Sequence, residues 1–387
     1  MELTNEFDYI ICGGGCAGLS LAIKLAGSEW SDKKILLIDA TEKTKNDRTW
    51  CSWVTHEDQY SEIQRAKWTH IFFKGPGFSK KIELNPYHYR MIRGIDFYKN
   101  ADEILGSTMH ITRVIDHITT IYENDNHVVL EGRTATYRGK YVFKSYFDGH
   151  IDKKKYLYVD QHFKGFFIRT SQPVFDPYCA TFMDFSIPQN DEIRFMYVLP
   201  EDRYTALAEV AIFSNEILTH GQYDAILTDY IDNTLQIKKY EILETEFGII
   251  PMTNYPFYKH DTERVIHIGT AGGAVKPSSG FAFMRIQEHT DLIVDCLRKN
   301  IPPSRAQKLF KPIFKLMDST LLDVFLLQKK SGAEIFTQLF KANSASQVFK
   351  FLDEKTGVLD TLKFITKLHW PPFIKGFLRQ VFAGNYR

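Results

Sequence analysis

Two glycine-rich turns carry the first chemistry legible in this chain. The later one reads Ile268-Gly269-Thr270-Ala271-Gly272-Gly273-Ala274-Val275-Lys276-Pro277-Ser278-Ser279-Gly280-Phe281-Ala282-Phe283. It follows an apolar run from Arg264 to Ile268 and opens an amphipathic helical pattern that begins near Ser279. A strand, a glycine turn and a helix N-terminus form an anion-binding cradle, because free N–H groups and the helix dipole face the ligand. The earlier turn, Gly13-Gly14-Gly15-Cys16-Ala17-Gly18, follows an apolar run from Phe7 to Cys12. A helical stretch from Leu19 to Leu25 comes next, with Gly27 as its stop. A second buried strand, Lys34 to Ile38, ends at Asp39. Gly13, Gly15 and Gly18 suit a tight turn, close approach of a pyrophosphate, and close helix–strand packing. Asp39, 21 residues after Gly18, can accept from a ribose hydroxyl. The order strand, turn, helix, strand and acid predicts a Rossmann-like dinucleotide fold. With Gly269, Gly272, Gly273, Pro277 and Gly280 in the later turn, the chain suits a flavin held at both ends.

The elements between the turns come in two textures. From Asp39 to about Asn100 the pattern is irregular and polar, broken by Gly75-Pro76-Gly77. Met109 to Ile115, Val128 to Leu130 and Tyr141 to Phe143 read as strands. From Phe163 the strands are short and aromatic-rich: Phe163 to Arg169, Cys179 to Phe185, Ile193 to Leu199 and Tyr204 to Phe213. Such spacing predicts an antiparallel sheet, inserted into the nucleotide domain as a substrate domain. Tyr223 to Leu235 reads as a helix, and Phe247 to Met252 crosses back. Beyond Ile301-Pro302-Pro303-Ser304 the pattern is helical, with Pro371-Pro372 as a late break. The expected organisation is a discontinuous FAD-binding domain over residues 1–75, 105–150 and 260–300. A substrate domain covers 76–104 and 151–259, and a C-terminal helical region covers 301–387.

Composition bounds the class. A chain of 387 residues, 44% hydrophobic and 25% charged, fits a soluble globular protein of two or three domains. A net charge of +1 gives no case for nucleic-acid binding. The charge is uneven, however: Arg305 to Arg387 holds 14 Lys+Arg against 6 Asp+Glu. That Phe-rich basic tail either meets an acidic membrane surface or is a solvated helical face. The five cysteines are odd in number and match no zinc spacing, so no metal site is expected and a reducing cytoplasm fits. Neither a signal peptide nor an apolar run long enough to span a bilayer is visible.

Several segments, in register, resemble one family. They are Asp47-Arg48-Thr49-Trp50-Cys51-Ser52-Trp53, Gln161-His162-Phe163-Lys164-Gly165 and Thr181-Phe182-Met183-Asp184-Phe185. Phe195-Met196-Tyr197-Val198-Leu199-Pro200 with Ala206-Leu207-Ala208-Glu209, and Glu246-Phe247-Gly248-Ile249-Ile250-Pro251-Met252, complete the set. Together with the two turns they resemble the FAD-binding lycopene cyclases of bacterial type, over about residues 8 to 285. Two departures stand out. Gly269-Thr270 replaces the Gly-Asp of many flavoproteins, as lycopene cyclases also do. Lys144-Ser145-Tyr146 stands where the family often has Asp-Ser-Arg.

The resemblance implies cyclisation of the ends of lycopene to β-ionone rings, without net redox change. It also implies reduced FAD as the competent cofactor, with NAD(P)H as electron source, and a peripheral place at the inner face of the cell membrane. The reaction needs an acid, a stabiliser of positive charge, a base and a dry apolar site. Glu209 is the only charge between Thr205 and Phe213, and burial there would raise its pKa as a general acid requires. Taken alone, that strand also suits a glutamate on a solvent face. Asp184, one acid among Phe182, Met183 and Phe185, is a second proton carrier, the partner that holds the first, or a strand-end structural acid. Arg48 either binds the flavin's phosphates or ring or is a surface arginine in a polar loop. Glu246 either serves the site or makes an interdomain hydrogen bond. Trp50, Trp53, Phe182, Tyr197 and Phe281 either face the cation with their π-clouds or simply pack. A flavin oxidoreductase, such as an aromatic hydroxylase or isoprenoid-lipid reductase, and a non-catalytic FAD- or lipid-binding protein are the competing readings.

Overall fold

The computed structural model describes residues 6–384, apart from 310, 329–330, 366 and 368–369. In chain order it runs β1 (Glu6–Cys12), α1 (Cys16–Lys24), β2 (Ile35–Asp39), β3 (Thr49–Val54), β4 (Ala66–Trp68), β5 (His70–Gly75), β6 (Phe78–Glu83), β7 (His88–Arg93) and α2 (Gly94–Gly106). Next come β8 (Ile111–Ile115), β9 (Ile118–Glu123), β10 (Val128–Gly132), β11 (Thr136–Lys144), β12 (Tyr158–Thr170), β13 (Cys179–Asp184), β14 (Ile193–Pro200) and β15 (Thr205–Ser214). Then follow α3 (His220–Asp229), β16 (Tyr240–Thr253), β17 (Val265–His267) and α4 (Phe283–Arg298). The chain closes with α5 (Pro312–Leu326), α6 (Gly332–Ala342), α7 (Ala345–Leu352), α8 (Val358–Ile365) and α9 (Trp370–Ala383).

The chain divides into two compact units, each assembled from three segments. The first holds residues 1–45, 94–156 and 255–312. Its sheet is ordered β8-β2-β1-β11-β10-β9, with β17 also paired to β11. The pairs β8–β2, β2–β1, β1–β11 and β11–β17 are parallel, and β9, β10 and β11 form an antiparallel meander. Ile10, Cys12, Leu36, Ile38, Val128, Leu130 and Val142 fill one core of this unit. Near-continuous apolar strands are what a parallel sheet with covered faces requires. Helix α1 packs against α2 and α4.

The second unit holds residues 46–93, 157–254 and 313–387. Its main sheet is ordered β16-β12-β15-β14-β13-β5-β6, antiparallel except for the parallel pair β13–β5. A smaller sheet runs β3-β7-β4. The face carrying Phe166, Ile168, Met196, Val198, Ala206, Ala208, Val210 and Ile212 packs under Tyr223, Leu227 and Tyr230. Strand alternation sends Tyr197, Leu207 and Glu209 to the opposite face. Helices α6 and α7 meet that face through Phe340 and Phe349, both against Phe182.

Several expectations move. The stretch after Asp39 is ordered, with five strands and α2. Its polarity misleads because β6 is an exposed strand rich in lysine, and because β7 buries Arg90 completely. Arg90 is held by a bidentate pair to Asp58 at 2.6 and 2.7 Å. The domain borders also fall elsewhere. Residues 46–75 join the second unit because β3 pairs with β7 and β5 pairs with β13. Residues 313–387 join it too, and 301–312 remain with the first. Helix α4 starts at Phe283, later than the expected Ser279. Pro371 and Pro372 lie in the first turn of α9, where proline lacks no needed N–H, so they begin a helix where a break was expected.

A Cβ at Gly18 would stand 1.9 Å from the Gly13 carbonyl oxygen and 3.1 Å from Ile11 Cγ2. Gly18→Ala should therefore cost about 1–3 kcal/mol through overpacking, read as a lower urea midpoint at unchanged slope.

Candidate active site

The first turn is built by β1 and α1. Gly13 has φ +103°, a region closed to most side chains, and a Cβ there would meet Ser145 Oγ at 1.9 Å. Ser145 in turn donates from Oγ and N to the Cys12 carbonyl, at 2.8 and 2.9 Å. Gly15 caps α1 without any side-chain hydrogen bond, and the first turn of the helix carries no acid. The helix N-terminus is thus open to an anion. Asp39, at the end of β2, accepts from Gly14 N at 2.5 Å and Thr41 N at 2.8 Å. Its remaining lone pairs can still accept from a hydroxyl. Burial pushes the Cys16 thiol up to about 12, so it packs as an uncharged side chain.

The second turn lies against the first. Gly269, with φ +64°, would place a Cβ 2.9 Å from Ala17 Cβ. A single 3-10 turn, Gly269–Gly272, follows β17 and ends at Gly273 with φ +75°. Lys276 N donates to the Phe281 carbonyl at 2.9 Å, and Gly280 N donates to the Lys276 carbonyl at 2.9 Å. Pro277 and Gly280, the latter with φ +75°, therefore sit in a closed loop ahead of α4. Lys24 of α1 fastens α4 through Gln287 O at 2.7 Å and Asp291 at 2.6 Å. The expected strand–turn–helix cradle is thus a strand, a 3-10 turn, a loop and then a helix.

In the second unit one row of residues crosses four strands. Gly165 on β12 is in register with Glu246 on β16 and with Glu209 on β15, and Glu209 is in register with Tyr197 on β14. Residues in register share a face. Strands separated by one other lie about 10 Å apart. Two glutamates can lean together across that gap only if nothing rises between them. A Cβ at Gly165 would lie 3.3 Å from both Glu209 Cβ and Glu246 Cγ, and 2.6 Å from Leu207 Cδ1.

Both carboxyls are pushed above the ordinary 4.5, first by burial. Glu209 retains some surface of its own, although protein packs densely around it. Desolvation is the largest influence on its proton. Each carboxyl also acts on the other, in opposite directions. Burial, with Glu246 adding to it, raises Glu209 well above the carboxylate range, while Glu209 works against the burial-driven rise of Glu246. Glu246 is further lowered by a 2.7 Å hydrogen bond from Thr49 Oγ1 and by the nearby Arg48 and Arg93. Among the described residues no hydrogen-bond partner reaches its other oxygen, Oε1, which is buried. Of the two carboxyls, these surroundings favour the proton on Glu209.

Aromatic side chains wall the same face. Trp53 stacks on Phe349 at 4.7 Å, and Phe182 meets Tyr197, Tyr89 and Phe349 at 6.2, 5.2 and 5.7 Å between centroids. Cys51 shares the Thr49 and Trp53 side of β3, near Tyr89. Burial raises the Cys51, Tyr89 and Tyr197 pKa values, which keeps all three neutral.

Other candidates go elsewhere. Asp184 faces the α3 side, where it accepts from Tyr230 OH and Ser186 N at 2.8 Å each. The structure does not bring it to Glu209, and Glu246 takes the place expected for it. Trp50 alternates to the other face of β3, along with Ser52, which accepts from Arg90 at 3.1 Å. Arg48 belongs to the second unit and lies beside Glu246, donating to the Phe247 carbonyl at 3.4 Å. Both glycine turns and Phe281 belong to the first unit. Gly165, Thr49, Cys51, Tyr89 and Arg93 were not singled out by their sequence. Gly165, Thr49 and Cys51 did lie in the quoted segments, and a glycine inside a strand pattern signals a close approach.

Gly165→Ala should force the carboxyls apart and cost about 1–3 kcal/mol in urea unfolding. Leu207→Ala in the same chain should recover part of this, since Leu207 makes the closest contact.

The sequence matches the model of a family described as lycopene cyclase protein over residues 8–375. A comparison with curated proteins gave no significant match. Among solved structures, a geranylgeranyl bacteriochlorophyll reductase-like protein from Thermoplasma acidophilum is similar, with TM-score 0.68 at 13% identity over 96% of this chain and 98% of that one. Klebsiella pneumoniae HpxO, complexed with FAD and uric acid, superposes with TM-score 0.64 at 11% identity over 90% and 96%. The tetracycline destructase Tet(51) does so with TM-score 0.56 at 12% identity over 92% and 99%. At such identities these likenesses carry the fold alone, and that fold is the expected α/β one. The family match spans nearly the whole chain, so the protein belongs to the lycopene cyclase protein family, among the enzymes of carotenoid biosynthesis.

Proposed function

We propose that the protein is a lycopene β-cyclase. The observation that carries this reading is the Glu209–Glu246 pair set across Gly165 in an aromatic face. Glu209 gives its proton to the terminal double bond of the linear carotenoid. A tertiary cation results, a neighbouring double bond attacks it, and the ring closes. The aromatic faces of Tyr197, Phe182 and Trp53 favour the cation over water. The carboxyl pair then takes a proton back. One proton enters, one leaves and no electrons are exchanged, so the step is an isomerisation. Repeated at the second end, it gives γ-carotene and then β-carotene.

The two turns fit FAD. Glycines stand where a Cβ would collide, the N-terminus of α1 is uncapped and free of acid, and Asp39 keeps acceptor capacity. HpxO, which shares the fold, is complexed with FAD. Gly13, Gly15, Gly18 and Asp39 would hold the nucleotide part, with Gly269, Gly272, Gly273, Pro277 and Gly280 lining the other end. The chemistry a reduced flavin supplies when bound is negative charge beside a cation, and NAD(P)H is the electron source for that form. We place the enzyme in the cytoplasm, at the inner face of the cell membrane, where an apolar polyene resides.

Expression in lycopene-accumulating cells tests the reading: cyclic carotenoids should replace lycopene. Unchanged lycopene beside folded, flavin-loaded protein would sink it. NAD(P)H consumed in proportion to product would point instead to a reductase. Glu209→Gln should lower the cyclisation rate by about 100-fold or more while flavin absorbance is retained. Wild-type activity should fall as pH rises and Glu209 loses its proton.

The same shifts set a stability profile. A carboxyl with a raised folded pKa binds more protons folded than unfolded, between 4.5 and its folded value. Stability therefore falls as pH rises through that window. Glu209→Gln removes the penalty, so the variant should melt above wild type at neutral pH. The gap should close below about pH 4.5. Thermal midpoints of both proteins across pH provide the check.

A further inference from the structure

We propose that helix α9 docks the protein on an anionic bilayer, with Ile374, Phe377, Leu378, Val381 and Phe382 entering the lipid surface. The positions follow the spacing i, i+3, i+4, i+7, i+8, which in a globular protein ordinarily faces a core. Here it faces outward. Ile374 is 47% exposed, Phe377 39%, Leu378 48% and Phe382 86%, with Val381 half-buried.

The polar edge of α9 turns inward instead. Asp323 of α5 has no exposed surface. It accepts from Arg379 Nη1 at 3.1 and 3.2 Å and from Gln380 Nε2 at 2.9 Å. Gln380, itself 4% exposed, accepts from Asn254 Nδ2 at 3.3 Å. Gln328 donates to the Pro372 carbonyl at 2.7 Å and to Asp323 at 3.2 Å. Gly376 completes the fit, since a Cβ there would lie 3.2 Å from both Asp323 Oδ1 and the Thr320 carbonyl. Buried polar groups thus hold the helix by the side that would otherwise face water, and the apolar side is presented.

The occupant follows from charge and size. Lys375 is exposed and sits one helical turn from Leu378 and two from Phe382, at the rim of the stripe. The segment from Arg305 to Arg387 carries 14 Lys+Arg against 6 Asp+Glu. Lysine stems extend along apolar surface while their ammonium groups reach phosphate. A second copy of the chain would bring equally basic segments together. A stable dimer also needs about 800 Å² from each partner, more than one short stripe offers. Among the described residues no helix is long and apolar enough to cross a membrane. A stripe on a helix of 14 residues suits a helix lying in the interface plane.

Only the purpose of docking, access to a membrane-dissolved polyene, rests on the function proposed above. The test is co-sedimentation of the full chain with vesicles of phosphatidylcholine alone or mixed with phosphatidylglycerol. Wild type should sediment with the mixed vesicles, less so at high salt. Leu378→Ser combined with Phe382→Ser should bind at least about tenfold more weakly. Lys375→Glu should lose the preference for phosphatidylglycerol. Cyclase activity on lycopene in detergent micelles should stay at the wild-type rate in these variants, which separates failure of docking from failure of the proposed function. Wild type left in the supernatant, or a double variant that sediments like wild type, overturns the proposal. A double variant that only converts a dimer to a monomer would assign the stripe to a second copy.

Discussion

The absence of a side chain at Gly165 is the constraint on which the second unit turns. Two acids on strands that are not neighbours meet only because the strand between them contributes backbone there. Once they meet, burial raises both, and their different surroundings separate them. Thr49, Arg48 and Arg93 all lower Glu246, whereas burial and Glu246 itself raise Glu209. The proton is thereby favoured on Glu209 over Glu246. A pair in equal surroundings would share the proton without a preferred donor.

The first unit answers a different demand with the same device. Gly18 lets α1 approach the Gly13 carbonyl, Gly13 leaves room for Ser145, and Gly269 lies close to Ala17, so the two turns can lie together. Lys24 then ties the two helices that follow those turns, through Gln287 and Asp291. Close packing of glycine turns and a buried lysine clamp are two parts of one arrangement, since neither turn could keep its place if α1 and α4 slid apart.

Much of this was legible in the residues, because it rests on periodicity and on glycine. The strand Thr205–Ser214 could be read, as Tyr204 to Phe213, from its apolar run and the turn before it, and Glu209 stood out as its single charge. Glu246 was marked, but its role depends on register across two strand pairings, which no local pattern encodes. Asp184 looked like Glu209 in sequence, an acid among Phe and Met, yet one step of alternation sends it to the Tyr230 side. The strands after Asp39 were hidden because Arg90, paired to Asp58, makes a core position look exposed. Pro371 and Pro372 looked like a break because proline marks a helix start and a helix stop alike.

The register across β16, β12, β15 and β14 also limits how this chain can change. The long central strand β12 is paired along both edges, with its one shift between Phe167 and Ile168, beyond Gly165. A single-residue insertion in β15 between its start and Glu209 would turn that carboxyl toward Tyr223 and Tyr230. It would also bring an apolar neighbour into line with Tyr197. Length can therefore vary in the hairpin loops, such as Pro188-Gln189-Asn190-Asp191, but not within the strands. Natural variation in this sheet should consist of substitutions and loop-length changes, with the spacing from Gly165 to each acid carried as a fixed frame.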